Sequence, residues 1–274
     1  MATKKKKKKN DKQVVIITGA SSGIGKATAL LFAENGYHVY GVARKDFSLP
    51  NVTTVLGDVS SQEDMKNVVD FVLKQEGKID ILINNAGFGI SGASEFSKID
   101  DIRKIFDVNF IGAVTLTQLV LPHMRRRKQG RIINTSSVAS FIPIPFQAFY
   151  SATKSALDTW AKALRIEVAP FNIKVTNVLP GDIKTEFTSR RQKSAGDTDG
   201  IYAEQETRSI AKMEKDEQNG MSPLCVAKVM LKIANKKKPP ATKTVGFGYK
   251  AISFLVKIVP QQFMLWIVKL LYGW

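Results

Sequence analysis

The sequence predicts a doubly wound α/β fold, a parallel β-sheet covered by helices on both faces. Three observations lead there. Short runs rich in valine and isoleucine recur through residues 13–180, nearly continuous rather than alternating, as strands buried on both faces require. Between them lie longer segments with apolar residues three and four positions apart, the period of a packed helix. The first run also passes through a glycine-rich turn directly into the first such segment.

The elements follow in order. "QVVIIT" is the first strand, and "GKATALLFAENG" the first helix, stopping on a glycine suited to the left-handed exit. "HVYGVA" and "VTTVLG" extend the sheet, and "DMKNVVDFVLKQEG" is a second helix that again stops on glycine. "IDILIN", "GRIINTS" and "IKVTNVL" complete the strong strands. From about residue 186 the pattern loosens. "TSRRQKSAGDTDG" is polar and aperiodic, and it runs into a charged helical stretch through Glu217. An excursion of this length reads as a mobile substrate lid over residues 186–222, in preference to a disordered insertion. Ser222 and Pro223 cap and open another helix, and "TKTVGFG" after Pro239-Pro240 reads as a short strand. The expected organisation is a lysine-rich disordered tail (1–12), a single catalytic domain (13–250) and an apolar, basic helical segment (251–274).

With 274 residues, 44% of them hydrophobic, the chain can bury one large core. Its formal charge of +17 is unevenly spread: Lys4–Lys9 is an unbroken run and Lys236–Lys238 a shorter one. Such runs repel themselves and stay solvated, or are drawn to an anionic lipid surface. No aromatic-interleaved basic face or DNA-binding motif accompanies them, so nucleic acid is not an expected partner. The single cysteine, Cys225, rules out an internal disulfide and fits a reducing, cytoplasmic setting. The apolar run Val14–Ile17 is too short for a signal peptide, and no uninterrupted run reaches the ~18 residues of a spanning helix. In the C-terminal stretch, Phe254, Leu255, Phe263, Leu265, Trp266, Leu270 and Trp274 are interrupted by Lys257, Pro260 and Lys269. That pattern suits a flap on the domain or a second subunit, or an amphipathic element seated peripherally at a membrane surface.

Two motifs carry chemistry. In "TGASSGIG", Gly19 permits a tight turn, while Gly23 and Gly25 leave the backbone open to a pyrophosphate at the first helix's positive N-terminus. In "YSATK", Tyr150 and Lys154 stand four positions apart and therefore on one face of a helix. A free phenol has a pKa near 10, and a neighbouring cation favours the phenolate, so the pair suits a general acid and base.

Together with "NNAG", these motifs resemble the classical short-chain dehydrogenase/reductase family over residues 13–190, nearest its 17β-hydroxysteroid and retinol dehydrogenase branch. The resemblance implies a single-domain Rossmann fold and hydride transfer with a nicotinamide dinucleotide. It implies catalytic roles for Asn109, Ser137, Tyr150 and Lys154, with Ser136 as the adjacent competitor of Ser137. Cofactor contacts are implied for Gly19, Ser21, Ser22, Gly23, Ile24 and Gly25, for Asp58 and Val59, and for Asn85, Ala86 and Gly87. Tyr150, Lys154, Pro180, Gly181, Ile183 and Thr185 complete that set, while Asp58 equally suits a local cap with Ser60 and Ser61.

The second strand ends in Ala43 where an NAD-specific site places an acid, with Arg44 and Lys45 beside it. That favours NADP(H), whose 2′-phosphate an arginine can grip, although Asp46 follows closely. Ser137, Tyr150, Phe88, Ile144 and Phe187 are the expected substrate contacts, with Ile90, Phe141, Ile142, Phe146 and Tyr202 as further apolar walls. Such walls suit a lipophilic ketone or alcohol such as a steroid, retinoid or other lipid. A β-ketoacyl thioester or small xenobiotic carbonyl is the alternative, and a non-catalytic NADP-binding protein the rival of another class. A homodimer or homotetramer is expected, and no metal.

Overall fold

The computed structural model describes residues 12–194, 200–256 and 258–272; the Lys4–Lys9 run, Lys257 and Trp274 lie outside them. A seven-stranded sheet forms the middle layer of a single Rossmann-fold domain. Its strands are β1 (Val14–Thr18), β2 (His38–Ala43), β3 (Val52–Leu56), β4 (Ile81–Asn84), β6 (Gly130–Thr135), β7 (Ile173–Pro180) and β9 (Thr242–Val245). Their order is β3-β2-β1-β4-β6-β7-β9, and every pairing is parallel. The order reverses between β1 and β4, so a crevice opens there at the strands' C-terminal ends.

The unbroken apolar runs have a direct cause. Val14 and Ile16 of β1 pack into one core, with Met65, Val68, Leu116 and Val120, while Val15 and Ile17 pack into the other, with Phe32, Val226 and Met230. The first core lies under α2 (Gln62–Glu76), α4 (Gly112–Arg126) and α5 (Ala148–Glu167). The second lies under α1 (Gly23–Glu34) and α7 (Pro223–Asn235). α2 stops at Gly77 in the left-handed region (φ 65°), and Ser222 caps α7 by accepting from Leu224 N. α3 (Ile99–Phe106) runs into α4 through a wide π turn, Asp107–Ile111. The continuous helix Ile99–Arg126 is long and apolar enough to cross a membrane, yet Leu116, Val120 and Met124 are fully buried in the core.

A line of carboxamides crosses the sheet under the crevice. Asn84, Asn134 and Asn177 are register partners on β4, β6 and β7. Asn84 Nδ2 donates to Asn134 Oδ1 and Asn134 Nδ2 to Asn177 Oδ1, each at 2.9 Å. Asn177 Nδ2 then donates to Asp158 Oδ1 at 2.9 Å and to the Asp158 carbonyl at 3.1 Å, which ties α5 to the sheet. All three asparagines are buried.

The lid stretch is more ordered than its composition suggests. β8 (Gln192–Lys193) pairs in parallel with β5 (Ile90–Ser91), and α6 (Ala203–Gln218) carries the charged segment; residues 195–199 of that stretch lie outside the described ones. The C-terminal helices begin earlier than the sequence pattern implies. β9 ends at Val245, and "FG" of "TKTVGFG" already belongs to α8 (Phe247–Leu255). α9 (Gln261–Leu271) follows Pro260, and its Leu265 and Val268 line a groove with Phe141, Ile144 and Ala148.

Asn134→Ala leaves Asn177 Oδ1 without its donor and takes one acceptor from Asn84 Nδ2, which keeps Thr117 Oγ1 at 3.1 Å. The expected loss is about 3 kcal/mol, since each buried group left unpaired costs about 1–3 kcal/mol. Urea unfolding of the variant beside the wild type measures it.

Candidate active site

The crevice is a cavity of about 440 Å³ built from the loops that follow β1, β2, β4, β6 and β7. Its floor is the glycine turn. Gly19 (φ 67°) and Gly23 (φ 53°) hold left-handed conformations that favour glycine. Gly25 is needed for a different reason: a Cβ there would meet the Gly19 carbonyl oxygen at 2.1 Å. Ser22 makes no side-chain cap to α1, and the helix's first turn holds no acidic residue. Its N-terminal N–H groups and positive dipole therefore face the cavity unclaimed by side chains, which suits a phosphate.

The turn is braced from across the sheet. Thr18 Oγ1 accepts from Asn85 N at 2.9 Å and from Ala86 N at 3.0 Å, and Asn85 Nδ2 donates to the Thr18 carbonyl at 3.0 Å. Thr135 Oγ1 donates to Asn85 Oδ1 at 3.1 Å, so β1, β4 and β6 are laced at their ends. Asn85 is thus a brace as well as a wall.

Most of the expected cofactor residues share this cavity: Gly19, Ser21, Ser22, Gly23, Ile24, Arg44, Asp58, Val59, Asn85, Ala86, Gly87, Pro180, Gly181, Ile183 and Thr185. Gly25 lies beneath it, and Lys45 is exposed away from its wall. Asp46 turns back on its own backbone, accepting from Phe47 N at 2.9 Å. Asp58 holds the turn before α2 through Ser60 N and Ser60 Oγ, at 2.9 and 2.7 Å, while Ser61 is the residue that caps α2.

Tyr150, Lys154 and Asp158 form one stripe of α5, and the Asp158 bond to Asn177 presses that stripe onto the sheet. Tyr150, Lys154 and Ser137 all line the cavity. Ser136 does so too, but its hydroxyl donates to the Lys154 carbonyl at 3.2 Å. Lys154 Nζ donates to the Thr135 carbonyl at 2.9 Å and sits 5.6 Å from the Tyr150 ring centroid. Asn109 stands behind the wall on the π turn. It clamps the Phe88 backbone, its Oδ1 accepting from Phe88 N at 3.0 Å and its Nδ2 donating to Phe88 O at 2.9 Å. A Cβ on Gly87 would touch Asn109 Oδ1 at 3.1 Å and Lys154 Nζ at 3.5 Å, so the two side chains meet around that glycine.

The titration of the pair corrects the expectation that Lys154 lowers the phenol. Burial pushes Tyr150 up to about 12, with Ser137 pulling the other way, Glu217 and Asp182 adding to the rise and Arg191 opposing it. Burial also pulls Lys154 down to about 8. Desolvation outweighs attraction here because Lys154 is itself stripped of water and spends its proton on a backbone carbonyl. In the protein alone, Tyr150 is therefore a protonated acid at neutral pH.

The substrate side is also more polar than expected. Phe88, Ile144 and Phe187 line the cavity, and the Tyr150 and Phe187 rings lie 5.6 Å apart. Ile90, Ile142, Phe146 and Tyr202 do not reach it, and Phe141 faces the groove under α9 instead. Ile90 is consumed by β5, while Phe146, at φ 58° before α5, packs against Tyr202. In their place stand Gln147, Asp182, Glu186, Arg190, Gln192 and Glu217. Glu217 Oε1 pairs with Arg191 Nη2 at 2.5 Å, and Glu217 Oε2 accepts from Thr188. No periodic signal marks these residues. Gln147 stands at the N-terminus of α5 and Asp182 just after β7, while Glu186, Arg190, Gln192 and Glu217 come from a segment whose polarity reads as solvated until it folds.

A nucleotide-binding crevice with a tyrosine, lysine and serine at its mouth defines an oxidoreductase that works with a nicotinamide dinucleotide on CH–OH and C=O groups. A family model described as short chain dehydrogenase matches residues 13–196. The chain is 41% identical over 234 residues to a 3-ketodihydrosphingosine reductase of Bacteroides thetaiotaomicron, covering 84% of this chain and 87% of that one. It is 30% identical over 268 residues to retinol dehydrogenase 8 of Bos taurus, covering 90% and 85%. A solved structure titled "ElxO with NADP Bound" superposes with a TM-score of 0.74 at 29% identity, over 88% of this chain and 99% of that one. The chain belongs to the short-chain dehydrogenase/reductase family, in its steroid- and retinol-dehydrogenase-like branch.

Gly25→Ala forces the Gly19 carbonyl out of the turn. The expected result is at least a tenfold weaker dinucleotide, a change of about 1.4 kcal/mol, read by quenching of intrinsic fluorescence.

Proposed function

We propose that the protein is an NADP(H)-dependent reductase and dehydrogenase of a lipophilic ketone or alcohol, with Tyr150 as general acid and base. One observation carries the reading: Tyr150, Lys154 and Ser137 face the cavity that also holds the glycine turn and Arg44. Arg44 and the absence of an acid at the end of β2 favour the 2′-phosphate form of the cofactor. When bound, the nicotinamide supplies or accepts hydride at the carbonyl carbon.

The protein's own part is to hold the oxygen and move the proton. The Ser137 hydroxyl donates to the substrate oxygen and fixes it beside the phenol. Tyr150, kept protonated by burial, gives its proton to that oxygen as the C=O bond becomes C–O–H. The phenolate left behind is stabilised by the Lys154 cation, and Asn109 keeps the Phe88 wall in register beside it. The oxidative direction reverses each step.

Substrate class follows from the walls and from the relatives. Phe88, Ile144 and Phe187 offer an apolar surface, while Gln147 and Glu217 offer polar groups nearby. That combination suits a lipid with a polar group near its carbonyl. Relatives named for 3-ketodihydrosphingosine and for retinol are consistent with it. Ile144 also lines the apolar groove under α9, which continues the surface outward.

The same reading seats the molecule peripherally on an anionic membrane. Phe254, Ile258, Phe263, Trp266 and Leu270 of the C-terminal helices are each at least half exposed. From Gln218 to Trp274 the only charged side chains are lysines. An exposed apolar face on a stretch whose own charged side chains are all lysines suits anionic headgroups.

Three outcomes are expected. Tyr150→Phe retains NADPH binding by fluorescence titration but loses 10²–10⁴-fold or about that in turnover; near-normal turnover would refute the acid–base role. The profile of kcat/KM for NADPH, which reports the free enzyme, stays flat below about pH 8 and falls above it as Lys154 loses its proton. Lys154→Met lacks that inflection. In flotation with phosphatidylserine vesicles, wild type rises with the lipid and Phe263→Glu/Trp266→Glu stays behind; equal flotation of both removes the membrane reading.

A further inference from the structure

We propose that Arg190 is a phosphate ligand for the dinucleotide, carried into the cleft by the 186–222 segment. The inference rests on the cofactor reading above. Arg190 Nη1 donates to Ser22 Oγ at 2.9 Å, a bond that joins the segment after β7 to the glycine turn after β1. Ser22 holds the N-cap position of α1 in an extended conformation, without using its hydroxyl to cap the helix. That hydroxyl instead accepts from Arg190, and Ser22 lines the cleft. Arg190, Ser22, Gly23 and Arg44 all line one cavity.

The chemistry at this point is cationic and unspent. No carboxylate among the described residues pairs with Arg190. Glu186 lies one turn earlier on the same wall, its Oε2 3.9 Å from where a Gly23 Cβ would stand, without pairing to the guanidinium. A guanidinium has five N–H donors in a planar fork, so Arg190 can keep Ser22 and still grip phosphate oxygens. It also reaches the turn from a segment that covers the cavity: Thr185 and Phe187, on either side of Glu186, line it, and the Phe187 ring packs on Tyr150. A bound dinucleotide would offer two anionic groups here, its pyrophosphate to the α1 N-terminus and its 2′-phosphate to Arg44, and ligand choice separates them.

The test is titration of NADPH, NADH, ADP and 2′,5′-ADP into wild type, Arg190→Ala and Arg190→Lys, followed by calorimetry. Because Arg190 is exposed, the ligand-free melting temperatures should coincide. Arg190→Ala should weaken NADPH about tenfold or more, as loss of a charge-assisted contact does, with Arg190→Lys recovering part of it. Weakening confined to NADPH and 2′,5′-ADP supports the proposal at the 2′-phosphate. Weakening shared by NADPH, NADH and ADP supports it at the pyrophosphate. A change under about twofold for all four ligands overturns it. Tighter binding of NADH than NADPH by the wild type would defeat the NADP(H) reading separately, whatever Arg190→Ala shows.

Discussion

The active helix is held by a hydrogen-bonded line of amides inside the sheet. Asn84, Asn134 and Asn177 each spend a buried carboxamide on the next strand, and the last spends its donors on Asp158 of α5. In a low-dielectric interior these bonds are stronger than in water, and any shift of register leaves polar groups unpaired. The line therefore fixes which strand ends lie level and which face of α5 meets them. Tyr150 and Lys154 point into the crevice because Asp158, one turn further along the same stripe, is already committed to Asn177. Everything the site does begins from that orientation.

Within the site, desolvation sets the resting state. The phenol and the ammonium are both driven toward their neutral forms by burial, one upward and one downward. This keeps the proton on Tyr150, as the proposed acid role requires. The glycine turn lines the same cavity, and there a helix end without a side-chain cap offers N–H donors that suit a phosphate.

The outer wall is assembled from distant parts of the chain. Arg191 is buried against Glu217 of α6, so the segment after β7 is locked to its own helix beside Tyr150. From the other side, Tyr249 of α8 donates to Asp182 and packs over Gly181, where a Cβ would strike its ring. The C-terminal helices thus brace the loop at the cofactor end of β7 while leaving most of their own apolar face open.

Much of this was legible in the residues themselves. Seven strands, the glycine turn and the helical pairing of Tyr150 with Lys154 are written as local patterns, because period, turn chemistry and one-turn spacing depend on near neighbours. Lys45, Ile142 and Tyr202 show the limit of that reasoning: each has a suitable side chain at a suitable place in the sequence, yet none reaches the cavity. The family spacing puts Ser137 ahead of Ser136, but only packing shows that the Ser136 hydroxyl is spent on the Lys154 carbonyl. The amide line, the Arg190 contact with Ser22 and the rise of the Tyr150 pKa all join residues far apart in the chain or arise from burial. Local order follows from composition and spacing; which polar groups are desolvated, and against whom, is decided only when distant segments close over one another.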